Sequence, residues 1–554
     1  MAKMAKTLKS PQQRNAKKER HALQRSLDAR AFFTQPIILM PLLIIMWGCL
    51  YGILGEIIDI NYGFGWDGLI YGTLVQKWKY YVEQHSIDAY RVLRIFPSVM
   101  LNFVCEPFAK DALGIIPALT IIKIYRIYTI FVLASAAVAW SLIGKRLHLG
   151  IQAQWIGFTA LFINFAVMKF GFYYLTLTDI TAFTLVLWGL YFFFTEHPIG
   201  VLVIGSIGFF TFPTIFLQSA LLYCFNYSQP TTSSEYTAKS ELNFNVPHNI
   251  ENTNAYGNSN VFVYSVTAVF VVLGSAGCAY GIFITPLPFA GTQPIMTTLL
   301  WPSIVLLLSY CGIICYSIAQ WFPVAFIVHV VKKSVFWLRV AVVVALAIAL
   351  WFGIARQLYN PTLPVPMNFA RFFGGTIIQS VSKPLLAPVA LIIYFGPSIV
   401  LLALLFYRWK YLIPELGSGF MIVFATAALM SGFMTESRQL ITLFPFAALL
   451  LAYTANTMQW RRQQVWIFAV LGLVSSKIWF RINFDGMNTS AYVDRLQNYD
   501  TFPMQNYFMN QGPWMSGESY VYQSIVIALG IGILWWAVIH PDRYNNTAHK
   551  TGTA

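Results

Sequence analysis

The sequence predicts an all-α polytopic membrane protein, on the strength of its charge content and its recurring apolar runs. Of its 554 residues 57% are apolar and 10% charged, against roughly 25% charged in an ordinary soluble domain. So few charges could not cover a soluble surface, whereas lipid solvates an apolar exterior. Apolar runs of about 20 residues, the length that crosses a bilayer as a helix, recur along the chain. Trp, Tyr and Phe make up 17% of the residues, which fits aromatic belts at the two membrane surfaces.

The runs place spans near 34–57, 116–143, 151–169, 180–195, 199–224, 260–284, 297–319, 335–354, 385–406, 411–432, 439–457, 464–480 and 521–540. The expected count is about 13–14. Before the first span lies a basic arm, residues 1–33, with nine Lys and Arg within residues 1–30 beside Glu19 and Asp28. It accounts for nearly half of the net charge of +15. The positive-inside rule makes it a cytoplasmic arm resting near anionic lipid, not a nucleic-acid binder. Lys145/Arg146, Lys332/Lys333/Arg339, Arg408/Lys410 and Arg461/Arg462 flank later spans and orient them the same way.

That orientation leaves 58–115, 170–180, 355–384, 433–438 and 481–520 on the external face. The first of these is expected to hold amphipathic helices. A Ser-, Thr- and Asn-rich loop, 226–259, upsets the alternation: bringing Lys332 back to the cytoplasm requires one more crossing, which a short or broken helix at 321–331 would supply. Residues 34–540 thus form one transmembrane domain, and 541–554 a short tail. The six cysteines form no CxxC and no His-rich metal spacing, so neither a metal site nor a disulfide framework is read from them.

Carboxylates and arginines collect in the external segments. Asp67 follows the first span in a loop with Gly63, Gly65 and Gly68, ahead of a helix expected near Leu69. It is either the cap of that helix or a general base at the membrane surface. Tyr90, Arg91 and Arg94 precede Pro97, and the spacing of the arginines puts both on one helix face. Such a pair suits phosphate, or else snorkels from an interfacial helix. Asp179 stands at the mouth of a span, as a cap with Thr178 or in a functional role. Glu436 and Arg438 lead the helix that contains Pro445; they are either a surface pair or an entrance that binds an anionic lipid head group. Arg371 and Arg481 add external positive charge. Distant carboxylates and arginines sharing one face suit an enzyme that uses a lipid phosphate beside a polar acceptor.

These residues resemble the GT-C class of polytopic glycosyltransferases, which use polyprenyl-phosphate sugars as donors. The resemblance rests on Asp67 in GWDGLIYG, on the YRxxRxxP run Tyr90–Pro97, on FYYLTLTD ending at Asp179 before a Pro-containing helix (FFTFPT), and on ESRQLITLFPF around Arg438. It implies that Asp67 is the base activating an acceptor hydroxyl and that Arg91, Arg94 and Arg438 hold the donor phosphate. Asp179 would position a substrate, or assist a divalent metal in members that use one. The implied partners are a polyprenyl-phosphate sugar, a glycan, lipid or protein acceptor, and membrane lipids. Many members carry two adjacent acidic residues in the first loop, whereas Asp67 stands between Trp66 and Gly68, with Asp59 and Asp88 the nearest other aspartates. The bacterial inner membrane is the expected location, the endoplasmic reticulum the alternative. The competing class is a transporter or flippase of a lipid-linked or anionic substrate.

Overall fold

The computed structural model describes residues 35–58, 61–106, 116–225, 227, 299–321, 328, 330–363, 369–458, 460–483, 512, 515 and 517–539. The basic arm, the run 260–284, nearly all of loop 226–259, most of 484–516 and the tail lie outside the described residues. In hydrocarbon each backbone N–H and C=O must pair within its own segment, so apolar runs fold as helices. Accordingly, the described residues form helices, with one isolated β-bridge, Ile87 to Tyr359.

In chain order the helices used below are α1 (Pro36–Leu54), α2 (Gly68–Glu83), α3 (Ala89–Val92), α4 (Phe96–Cys105), α5 (Ala118–Arg146), α6 (Ile151–Phe162), α7 (Asp179–Phe194), α8 (Pro198–Phe209), α9 (Thr214–Cys224), α10 (Leu300–Trp321), α11 (Ser334–Leu350), α12 (Phe369–Ser380), α13 (Leu386–Phe395), α14 (Pro397–Leu404), α15 (Ser418–Phe433), α16 (Phe444–Met458), α17 (Arg462–Ser475) and α18 (Gly517–Leu534). Five helices are long and apolar enough to cross a membrane, or seven if two bent pairs each count as one span. The chain is therefore an all-α polytopic membrane protein. The expected external helices are α2, α3 and α4.

Two expectations about spans are corrected. The run 199–224 is not one span but the hairpin α8–α9, turned at residues 210–213, where Pro213 interrupts the helix. The hairpin returns the chain to the end it left: Tyr227 packs its ring on Phe193 and Phe194 at the foot of α7. Most of 321–331, where an extra crossing was expected, lies outside the described residues. Trp321 packs on Phe424, which also packs on Trp409, and Arg339 donates to the Tyr223 carbonyl.

The second correction concerns straightness. The run 151–169 bends by 54° after α6, and 385–406 bends by 119° between α13 and α14. Asn164 sits at the first break, its side chain accepting from the Val167 amide. Gly396, at φ 73°, forms the second. A Cβ on Gly396 would lie 3.9 Å from the Asn164 Cβ and 2.8 Å from Ser475 Oγ, so the two breaks meet inside the bundle. Gly396→Ala is expected to cost about 1–3 kcal/mol, since an L side chain is strained in this conformation. An unchanged thermal midpoint in detergent would show that the break relaxes freely.

The ends of the bundle separate by their contacts. At one end Arg146 donates to the Phe194 carbonyl, the Gly150 amide to Asn456 and the Tyr453 hydroxyl to Glu415. At the other end, described parts of the five segments expected on one face meet. The Ile58 amide donates to the Tyr173 carbonyl and the Asn360 amide to that of Ile87. Asp67 pairs with Arg438, and the Ile482 amide donates to Glu56.

Candidate functional site

The site begins with the loop that carries Asp67. Asn61 and Tyr62 have positive φ, as do Gly63 and Gly65, which curls the chain tightly after α1. The curl docks on residues 173–176: Thr176 Oγ1 donates to the Phe64 carbonyl at 2.8 Å, and the Gly68 amide to the Tyr174 hydroxyl at 3.0 Å. A Cβ on Gly68 would fall 1.8 Å from Thr176 Oγ1, so glycine is what allows this approach. The loops bearing Asp67 and Asp179 are in this way built as one unit.

Asp67 precedes α2 but makes no side-chain cap. Instead its Oδ2 lies 3.0 Å from Arg438 Nη2. Glu436 accepts from Arg438 Nε, and its second oxygen accepts from Gln439 Nε2 at 3.3 Å. The Arg438 and Glu436 side chains are 11% and 17% exposed, and that of Asp67 is 52% exposed. Arg438 and Glu436 are therefore not the solvated surface pair that the sequence allowed. They form a sunken triad with one carboxylate at the rim.

Asp179 opens α7 and is buried. Thr178 provides no side-chain cap there. The charges of Arg438, Arg94 and Glu436 all act on Asp179, and Tyr128 bonds Thr181 at 2.8 Å to fix that first turn. Arg94 lies between two rings, its guanidinium 4.6 Å from the centroids of both Tyr90 and Phe212. Phe212 reaches it from the α8–α9 turn, which is tied to α4 by the Phe96 amide donating to the Phe210 carbonyl. Burial pushes the Tyr90 phenol above its ordinary pKa, against the opposing pull of Arg94 and Arg438.

Arg91 is placed differently. The helix expected to carry both arginines ends at Val92, and Arg91 pairs with Asp88, the carboxylate that caps it. The shared-face geometry is thus corrected: Arg94 reaches the site and Arg91 is held by its own cap. Arg481 is exposed and does not enter the triad's hydrogen bonds. Arg371 lies on α12, and its side chain is outside the described residues. The structure therefore brings together Asp67, Tyr90, Arg94, Asp179, Glu436 and Arg438.

Sequence reasoning did not identify Tyr71, Tyr174, Phe212 and Tyr394. Tyr71 and Tyr174 are buried and feel both Asp67 and Arg438. The buried Tyr394 hydroxyl, within Coulombic reach of Asp179, Glu436 and Arg438, has no hydrogen-bond partner among the described residues. Also unforeseen is a second ionic cluster. Lys169 Nζ lies 2.6 Å from Glu56 Oε1 and donates to the Phe480 carbonyl at 2.9 Å. Glu56 also accepts the Ile482 and Asn483 amides, at 2.6 and 2.8 Å. A lysine inside an apolar span was the available signal.

An apolar cavity of about 220 Å³ opens between α10, α13, α14, α15 and α16, lined among others by Ile313, Phe395, Leu402, Ala428, Leu440 and Phe444. Ile313 is exposed, so the cavity reaches the bundle's apolar outer surface. Among the described residues no three His, Cys, Asp or Glu side chains stand together as metal ligands, and Asp67 and Glu436 are both engaged by Arg438. This donor set does not fit a divalent metal. No family model, curated protein or solved structure matches the chain.

Proposed function

We propose that the protein is a membrane glycosyltransferase of the GT-C kind, moving a sugar from a polyprenyl-phosphate donor to an acceptor hydroxyl. The observation that carries this reading is that Arg438 of the ionic site shares the short helix Ser437–Leu440 with Leu440, which lines an apolar cavity. Arg438 and Arg94 offer charge to a phosphate, Asp67 stands at the rim beside them, and Leu440 and Phe444 begin a groove suited to an isoprenoid chain. A lipid-linked anion needs both parts, and a soluble nucleotide sugar would need no groove.

In this mechanism the acceptor oxygen bonds to the anomeric carbon while Asp67 takes its proton. The bond from that carbon to the phosphate oxygen breaks, and its electron pair leaves on the phosphate. Arg438 and Arg94 stabilise the charge developing there. A single displacement inverts the anomeric centre. Glu436 orients Arg438, and Asp179 positions a substrate.

Arg94→Lys keeps the charge but loses the planar stack between Tyr90 and Phe212. It is expected to weaken donor binding about tenfold, the scale of a desolvated cation–π contact. Equal donor KM in Arg94→Lys and wild type would remove Arg94 from the phosphate site.

A second reading, transport of a lipid-linked or anionic substrate, is favoured by the abutting helix breaks at Asn164 and Gly396, since transporters bind substrates at interrupted helices. Purified protein in vesicles, given a labelled polyprenyl-phosphate sugar and a soluble acceptor, separates the two. Glycoside formation supports the transferase. Movement of labelled lipid between leaflets without glycoside supports transport.

A further inference from the structure

We infer that Asp67 is an internal ligand of the phosphate site: in the free protein its carboxylate occupies the face of Arg438 that the incoming phosphate takes, and the phosphate's arrival frees the base. This rests on the reading of Arg438 as the donor-phosphate site. It adds an order of events, donor first, that the mechanism itself does not require.

The argument starts from how the guanidinium's donors are shared. Glu436 takes Nε from two residues away on the same short turn and is itself held by Gln439. With so short a tether it stays in place. Asp67 takes Nη2 across 371 residues of sequence. It is the half-exposed member of the triad, so its side chain can turn to solvent while the loop stays docked. Of the two carboxylates, Asp67 is the one free to leave.

Arg94 supplies the reason to leave. Its faces are taken by Tyr90 and Phe212, yet among the described residues no carboxylate lies within ion-pair distance of it. Arg94 and Arg438 both act on Tyr71, Tyr90 and Asp179, so a phosphate between the two arginines would draw on both charges, whereas the Asp67 carboxylate pairs with Arg438 alone. Two charge-assisted contacts displace one. While Arg438 holds Oδ2, one of the two Asp67 oxygens is withheld from an acceptor hydroxyl. Displacement by the phosphate returns it, so proton removal from the acceptor is favoured once the donor has bound.

The consequence is unusual for a general base: removing it tightens donor binding. An internal competitor lowers apparent affinity by the fraction of sites it occupies, so Asp67→Asn, which keeps the side chain's size, should bind anion roughly tenfold tighter. The experiment is calorimetric titration of the purified full chain in detergent with farnesyl monophosphate, inorganic phosphate and uncharged farnesol. Wild type, Asp67→Asn, Arg438→Lys and the double variant would be compared.

The expected result is tighter farnesyl phosphate binding by Asp67→Asn, unchanged farnesol binding, and loss of the gain when Arg438 is also replaced. A gain with inorganic phosphate as well locates the competition on the head group alone; a gain confined to farnesyl phosphate assigns it to the lipid-borne phosphate. Either supports the inference. Equal or weaker binding by Asp67→Asn overturns it and leaves the transferase reading standing. A gain that persists at full size in the double variant also overturns it, because removal of a distant negative charge then suffices. No phosphate binding by wild type or Asp67→Asn overturns the donor site itself.

Discussion

Asp67→Asn is expected to lower sugar transfer by about 10²–10⁴-fold, the contribution of a positioned general base. The substitution keeps the volume and one acceptor oxygen, so Arg438 retains a neutral acceptor at the Oδ2 position, 3.0 Å from its Nη2. Asp67 caps no helix and is half exposed, so the fold should not suffer. The loss belongs in kcat, because the acceptor proton moves in the transition state and the donor still binds. Single-turnover rates with saturating donor would measure it directly. A variant with full kcat would assign the base elsewhere, with Asp179 the first candidate.

The largest expected effect on stability comes from outside the site. Lys169→Met removes a buried cation from Glu56 and leaves that carboxylate with the Ile482 and Asn483 amides alone. Breaking a buried pair by removing one partner costs about 3–5 kcal/mol. The Glu56 oxygens keep two amide donors, which places the expected loss at the lower end, about 3 kcal/mol. The double variant Lys169→Met/Glu56→Gln should recover part of it, because no uncompensated charge then remains. Thermal unfolding in one detergent would compare the three. If the single variant loses under about 1 kcal/mol, the pair is solvated and does not clamp residues 480–483.

The sequence made some parts of this arrangement legible because their causes are local. Glycines at 63, 65 and 68 announce the tight loop and the helix start at Gly68, and a carboxylate in an otherwise apolar stretch marks Asp179. Helix content follows from apolar run length. The α8–α9 hairpin was hidden because FFTFPT is itself apolar, and hydropathy over 199–224 does not register a turn that stays within the bundle. Pro213 and the Gly396–Pro397 pair carried the break signals, and both lie in runs long enough to read as single spans. The partners of Arg91 and Arg438 follow from tertiary structure. The YRxxRxxP spacing suggested twin arginines, yet Asp88 claims one and two aromatic rings the other.

The Asp67–Arg438 bond also clarifies what the one-sided charge distribution means. Segments far apart in sequence do not merely share a face of the bundle. They hydrogen-bond one another, so displacement of one carboxylate can be felt at the Asp179 loop through Tyr174 and Thr176. A site assembled in this way is held by its scaffold and opens at the rim where Asp67 stands.

The most direct measurement is a structure of the protein in lipid with a polyprenyl phosphate bound. The account predicts phosphate density within hydrogen-bonding distance of Arg438 and Arg94, Asp67 turned away from Arg438, and chain density along Leu440 and Phe444. Phosphate density at the Asn164–Gly396 breaks, with the Asp67–Arg438 pair intact, would contradict it.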